Sequence, residues 1–152
     1  MLIFLVNRNL TILIAEDNEN EAILVKHALG MAKITNPIQM VQDGQEAIDY
    51  LSGNGQFANR RRFPFPSVLM LDLKMPRRSG FEVLAWLREH PQYSVIPSIV
   101  LSNSSQPEDI RLAYERGANS YIVKPQDLND LVRIFRDTYE YWKWCEKPPM
   151  PS

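Results

Sequence analysis

Short apolar runs alternate along this chain with longer stretches of helical periodicity. The runs are TILIA (11–15), PIQMV (37–41), SVLMLD (67–72), IPSIVLS (96–102) and NSYIVK (119–124). Each has the length of a strand. Between them, apolar residues recur at the spacing of amphipathic helices near 18–31, 44–52, 80–90, 107–117 and 128–144. Five strands alternating with five helices predict a parallel sheet covered by helices on both faces. TILIA, VLML and SIVL are nearly continuous apolar runs, as central strands buried on both faces require. PIQMV and NSYIV mix in polar residues and suit the edges. With right-handed crossovers, that texture predicts the order 2-1-3-4-5, a flavodoxin-like (βα)5 three-layer sandwich of class α/β.

The helix starts carry their own signals. Asn18 precedes Glu21 by three residues, and the same spacing joins Asp43 to Glu46, Ser79 to Glu82, Ser105 to Glu108 and, more loosely, Asp127 to Asp130. An N-cap oxygen followed by an acid at the third helical position is the capping-box pattern. Gly30, Gly53 and Gly117 stand where helices should stop, and Pro91 should end another. The aperiodic segment 52–66, SGNGQFANRRRFPFP, is long for a connection; its RRR reads either as a docking patch or as a solvated loop.

Composition narrows the class. At 152 residues, 45% hydrophobic and 23% charged, the chain suits one globular domain, and 17 Lys+Arg against 18 Asp+Glu advertise neither nucleic acid nor an anionic membrane. A lone Cys145 makes no internal disulfide and fits a reducing cytoplasm, while His27 and His90 lack the neighbours of a zinc site. MLIFLV at the N-terminus is shorter than the ~20 residues of a membrane span or the ~7–15 of a signal-peptide core. Residues 1–10 therefore read as an N-terminal arm, 11–144 as the domain and 145–152 as a short tail with no room for an output module.

The chemistry gathers where the strands end, and in open parallel sheets ligands bind beyond those carboxyl ends. The first strand ends in Glu16-Asp17, the third in Asp72, the fourth in Ser102 and the fifth in Lys124-Pro125. Three close carboxylates raise one another's pKa unless a cation neutralises them, and Mg²⁺ prefers such oxygen donors. A metal at Glu16, Asp17 and Asp72 leaves Asp72 ionised and able to attack phosphorus, forming an aspartyl phosphate. Lys124 supplies the second cation for the phosphoryl group, and Ser102 a hydroxyl donor.

With AEDN (15–18), LDLKMPRRSG (71–80), VLSNS (100–104) and YIVKP (121–125), the chain resembles the receiver domains of two-component response regulators, of the chemotaxis-regulator type, over roughly residues 11–144. The resemblance implies a single-domain regulator in which Asp72 takes a phosphoryl group from a sensor histidine kinase. It implies Mg²⁺ bound by Asp17, Asp72 and the backbone carbonyl of Lys74, with Glu16 acting through a metal-bound water. It also implies a cis Lys124-Pro125 bond and a switch in which Ser102 moves toward the phosphoryl group while Tyr121 turns inward. Asn103, where the family often has a small residue, and the cation of Lys74 are departures that bear on phosphoryl lifetime. The long 52–66 loop is similar to that of the standalone regulators paired with phytochrome-type kinases.

On the last helix Phe135, Tyr139 and Trp142 form the core stripe, which leaves Tyr141 and Trp144 for an interface. A homodimer through the fourth and fifth helices, or kinase docking there, is one reading of them, and ordinary end-of-helix packing is the other. Three other readings stay open: a phosphorylation-independent receiver-like module, a Mg²⁺-dependent Asp-nucleophile phosphohydrolase, and a flavodoxin-like cofactor binder. Lys74 replaces the second acid a dehalogenase-type hydrolase needs, and acidic AEDN is unlike a phosphate loop. The leading expectation is a cytoplasmic phosphoacceptor switch with at most slow autodephosphorylation.

Overall fold

The computed structural model describes residues 10–146. Residues 1–9 of the expected N-terminal arm 1–10, and 147–152 of the tail, lie outside the described residues. The elements are β1 (Thr11–Ala15), α1 (Glu19–Met31), β2 (Ile38–Val41), α2 (Gly44–Ser52), a 3-10 turn (Gly55–Phe57), β3 (Pro66–Leu71), α3 (Gly80–Glu89), one helical turn (Pro91–Ser94), β4 (Ser98–Ser102), α4 (Pro107–Glu115), β5 (Ser120–Val123) and α5 (Leu128–Trp144). All five strands are parallel in the order β2-β1-β3-β4-β5, as expected.

Burial follows strand texture. Every residue of β1, β3 and β4 is buried, while β2 and β5 are only partly so. Side chains alternate between two cores, because successive strand residues face opposite ways. Leu13, Leu69, Leu71 and Val100 pack with α2 and α3, whereas Ile12, Ile14, Val68 and Ile99 pack with α1 and α5. Each such side chain contributes about 1.5–3 kcal/mol. Phe135, Tyr139 and Trp142 do form the inward stripe of α5, with Tyr141 and Trp144 exposed.

Register sets the functional edge. Ala15 pairs with Val41 and Leu71, and Ser102 with Val123, so Glu16, Asp72 and Lys124 leave the sheet at one level. Ladder bonds continue one step further: Asp72 N donates to Ala15 O at 3.1 Å and Lys124 N to Ser102 O at 2.8 Å.

Several local expectations need correction. Asn18 and Asp43 cap α1 and α2 by accepting from the backbone N of Glu21 and Glu46, but only Ser79–Glu82 closes a reciprocal box. Ser105 caps nothing; Pro107, whose missing N–H suits a first turn, moves the N-cap of α4 to Gln106. Asp127 accepts from Asn129 N, so Asp130 is not its box partner. Gly30 does not stop α1, which runs on to Met31, whereas Gly53 ends α2 in the left-handed region with φ 73°. Pro91 starts a new turn as well as ending α3.

The 52–66 loop is a packed segment rather than a solvated coil. Phe57 is buried, and the Tyr50, Phe57 and Phe63 rings meet at centroid distances of 5.1–6.0 Å. Arg60 folds inward, donating to Tyr50 O and Leu51 O at 2.6 Å each and lying 4.1 Å over the Phe65 ring. It thereby satisfies the Leu51 carbonyl at the end of α2 and adds a second donor to Tyr50 O, which also accepts from Gly53 N at 3.2 Å. Only Arg61 and Arg62 of the run are exposed.

Candidate functional site

Four of the five strand ends deliver one group each. Asp72 follows β3 with one oxygen fixed, Oδ1 accepting from Leu73 N at 2.8 Å. Lys124 follows β5, and its Nζ lies 3.1 Å from Glu16 Oε2, 3.0 Å from Glu21 Oε2 and 3.9 Å from Asp72 Oδ2. Glu16, Glu21 and Asp72 each offer a carboxylate oxygen within 4.8 Å of the others. Ser102 is buried at the end of β4, its Oγ accepting from Ser104 N at 3.1 Å. Half-buried Tyr121 donates its hydroxyl to Ser104 O at 2.7 Å. Asp17 is exposed and outside the close group, and Lys74 is exposed. No described peptide bond is cis, so the Lys124-Pro125 bond is trans, the isomer an X–Pro amide still prefers by about 0.5–1 kcal/mol.

Glu21 is the residue that sequence reasoning missed. Its backbone N–H does meet the Asn18 cap, but its side chain crosses to Lys124 and accepts from Asn103 Nδ2 at 2.9 Å. The available signal was position: the first turn of α1 opens at the edge where the strand ends meet.

The electrostatics follow from crowding. Burial, a hydrogen bond with Glu21 and the Asp72 charge push the Glu16 carboxyl up to about 8 against the pull of Lys124. Burial would raise Glu21 as well, yet hydrogen bonds with Asn103, Glu16 and Lys124 prevail and hold it below the usual carboxylate range. Burial disfavours the Lys124 ammonium, but Glu21, Asp72 and Glu16 overcome this and raise its pKa. Hard oxygen donors short of positive charge fit a hard divalent cation.

The loop between β3 and α3 is held by bare backbone. A Cβ on Gly80 would meet Asp72 O at 2.2 Å, and one on Gly44 would meet Arg78 O at 2.1 Å. Gly80 N donates to Leu73 O at 2.8 Å and Gly44 N to Arg78 O at 3.1 Å. Arg77, in the left-handed region at φ 61°, grips Asp43 with Nε–Oδ2 at 2.9 Å and Nη2–Oδ1 at 3.1 Å.

A 2-1-3-4-5 parallel sheet with a carboxylate at the end of its third strand, facing a lysine from its fifth, describes a phosphoacceptor switch domain. The chain belongs to the response regulator receiver domain family, whose model matches residues 12–136. It is 34% identical over 144 residues to a probable methanogenesis regulatory protein, FilR2, of Methanothrix harundinacea, covering 93% of this chain and 88% of that one. Among solved structures it is similar to response regulator RPA3017 in red light signaling of R. palustris, at 32% identity and TM-score 0.88, covering 93% of this chain and 99% of that one. The phosphorylated cyanobacterial phytochrome response regulator RcpA matches at 33% and TM-score 0.83 with the same coverage. The Mn²⁺-bound form of response regulator Rcp1, from Synechocystis, matches at 29% and TM-score 0.79, covering 91% of this chain and 99% of that one. The chain is thus a receiver-domain response regulator of a two-component system, homologous to phytochrome response regulators. Such domains are generally switches rather than enzymes, pair with histidine kinases and bind divalent metal. Among the described residues, no helix is long and apolar enough to cross a membrane.

Proposed function

We propose that Asp72 accepts a phosphoryl group from the phosphohistidine of a sensor histidine kinase. An Asp72 oxygen forms the new O–P bond, the P–N bond breaks, and the imidazole leaves and recovers its proton. The Lys124 ammonium, 3.9 Å from Asp72 Oδ2 in a buried acidic rim, is the observation that carries this reading. It compensates the charge of the incoming group, which is the main demand of phosphoryl transfer. Asp72, with Asp17, the Lys74 carbonyl and Glu16 through a water, would hold Mg²⁺. Bound there, the metal would supply further charge compensation for the phosphoryl oxygens. Ser102 and Tyr121 form the switch: their tie through Ser104 is a ready link from the acceptor to the exposed side of β5.

Residues 11–144 form the functional unit in this reading, the compartment is the cytoplasm, and any return to the resting state is slow autodephosphorylation. A phytochrome-type kinase is the partner we favour, from likeness to red-light regulators. Tyr141 and Trp144, 71% and 89% exposed, make the α4–α5 side the dimer surface to test.

Incubation with Mg²⁺ and acetyl phosphate, followed by intact mass, tests the site. One phosphoryl mass should appear in the wild type and be absent from Asp72→Asn. Equal, stable labelling of both proteins would refute it.

A further inference from the structure

If Asp72 is the acceptor, Lys124 must come to its phosphoryl group. Yet the lysine is drawn elsewhere, 3.0 Å from Glu21 and 3.1 Å from Glu16 against 3.9 Å from Asp72. Glu21 is itself pinned, because its Oε1 accepts from Asn103 while its Oε2 takes Lys124. Asn103 directly follows Ser102, and Ser104 next in the chain binds both the Ser102 hydroxyl and, through its carbonyl, Tyr121. Two hydrogen-bonded groups, Lys124–Glu21–Asn103 and Ser102–Ser104–Tyr121, are therefore joined through the main chain of the β4–α4 loop.

We propose that Glu21 and Asn103 form a latch that holds Lys124 and the β4–α4 loop in the resting arrangement and must open for phosphoryl transfer to Asp72. A latch stronger in the resting state than in the phosphorylated one opposes the reaction, since only differential contacts shift a two-state equilibrium. The rival role is that of a metal ligand, as the Glu21 carboxylate lies in the close acidic group. Against it stands the occupancy of both Glu21 oxygens, one by the Lys124 ammonium and one by the Asn103 amide.

The latch rests on the Asp72 reading, and one experiment separates the two. Wild type, Glu21→Gln, Asn103→Ala and the double variant are phosphorylated by acetyl phosphate at saturating Mg²⁺. In that reaction an Asp72 oxygen forms the O–P bond, the acetyl phosphate P–O bond breaks and acetate leaves. Glu21→Gln keeps an oxygen for Asn103 but loses one of the two carboxylates that hold Lys124, Glu16 being the other, so the labelling rate should rise about five- to tenfold. Asn103→Ala should give a smaller rise, and the double variant no more than Glu21→Gln alone, since coupled residues are not additive. Mn²⁺ affinity, measured by calorimetry, should stay within about twofold, a readout that distinguishes a latch from a ligand. An unchanged or slower rate overturns the latch, and so does Mn²⁺ binding weakened more than about fivefold. Labelling that survives Asp72→Asn instead overturns the acceptor assignment.

Discussion

Arg60 and Lys124 are both cations drawn into the body of the protein, one by the 52–66 loop and one by the carboxyl edge of the sheet. Arg60 finds neutral partners, two carbonyls at 2.6 Å and an aromatic face at 4.1 Å. Lys124 finds three carboxylates, with Asp72 held at arm's length, and cannot neutralise them all. Fixed dipoles around a cation leave nothing to be supplied from outside. An excess of carboxylates does, and the Glu16 carboxyl is pushed up to about 8 in consequence. A structural charge is thus told from a functional one by what its partners still lack, more than by its burial.

The sharpest way to break this contrast is Arg60→Ala. It strands the Leu51 carbonyl, leaves the Tyr50 carbonyl with Gly53 N alone, and should cost about 2 kcal/mol in chemical denaturation while leaving Asp72 labelling intact. Glu16→Gln should act in the opposite sense. Because the folded pKa of Glu16 is raised, its stabilisation is full below about 4.5 and lost as pH rises through about 8. Metal-free wild type should therefore lose stability across that window, whereas the Gln variant, on the order of 1 kcal/mol more stable near its upper end, should not. Thermal unfolding with a chelator checks this, and divalent-metal affinity should fall about tenfold in the same variant. Arg61→Ala closes the series: exposed and next to Arg60, it should stay within about 0.5 kcal/mol of wild type.

The strand order was legible because burial on both faces leaves an unbroken apolar run, as in VLML, and a half-covered edge does not, as in PIQMV. Asp72, Glu16, Ser102 and Lys124 were legible because each ends a strand, where the topology brings them together. Glu21 was hidden by a sufficient local account: its place after Asn18 explained it as a helix-start residue, while its side-chain partners lie 82 and 103 positions away. The inward turn of Arg60 was hidden for a related reason, since an aperiodic segment carries no pattern from which its aromatic packing can be read. Asp17, adjacent to Glu16 in the chain, is left outside the acidic group because neighbours after a strand point different ways.

Gly80 has a quieter part. It sits against the main-chain oxygen of Asp72 with space for a hydrogen and nothing wider. With no side chain as a spacer, the acceptor and the base of α3 make a single stiff joint, so a partner that tilts that helix would carry the carboxylate with it. If Asp72 is the acceptor, residue 80 then counts among the working parts of the switch, although it has no reactive atom to offer.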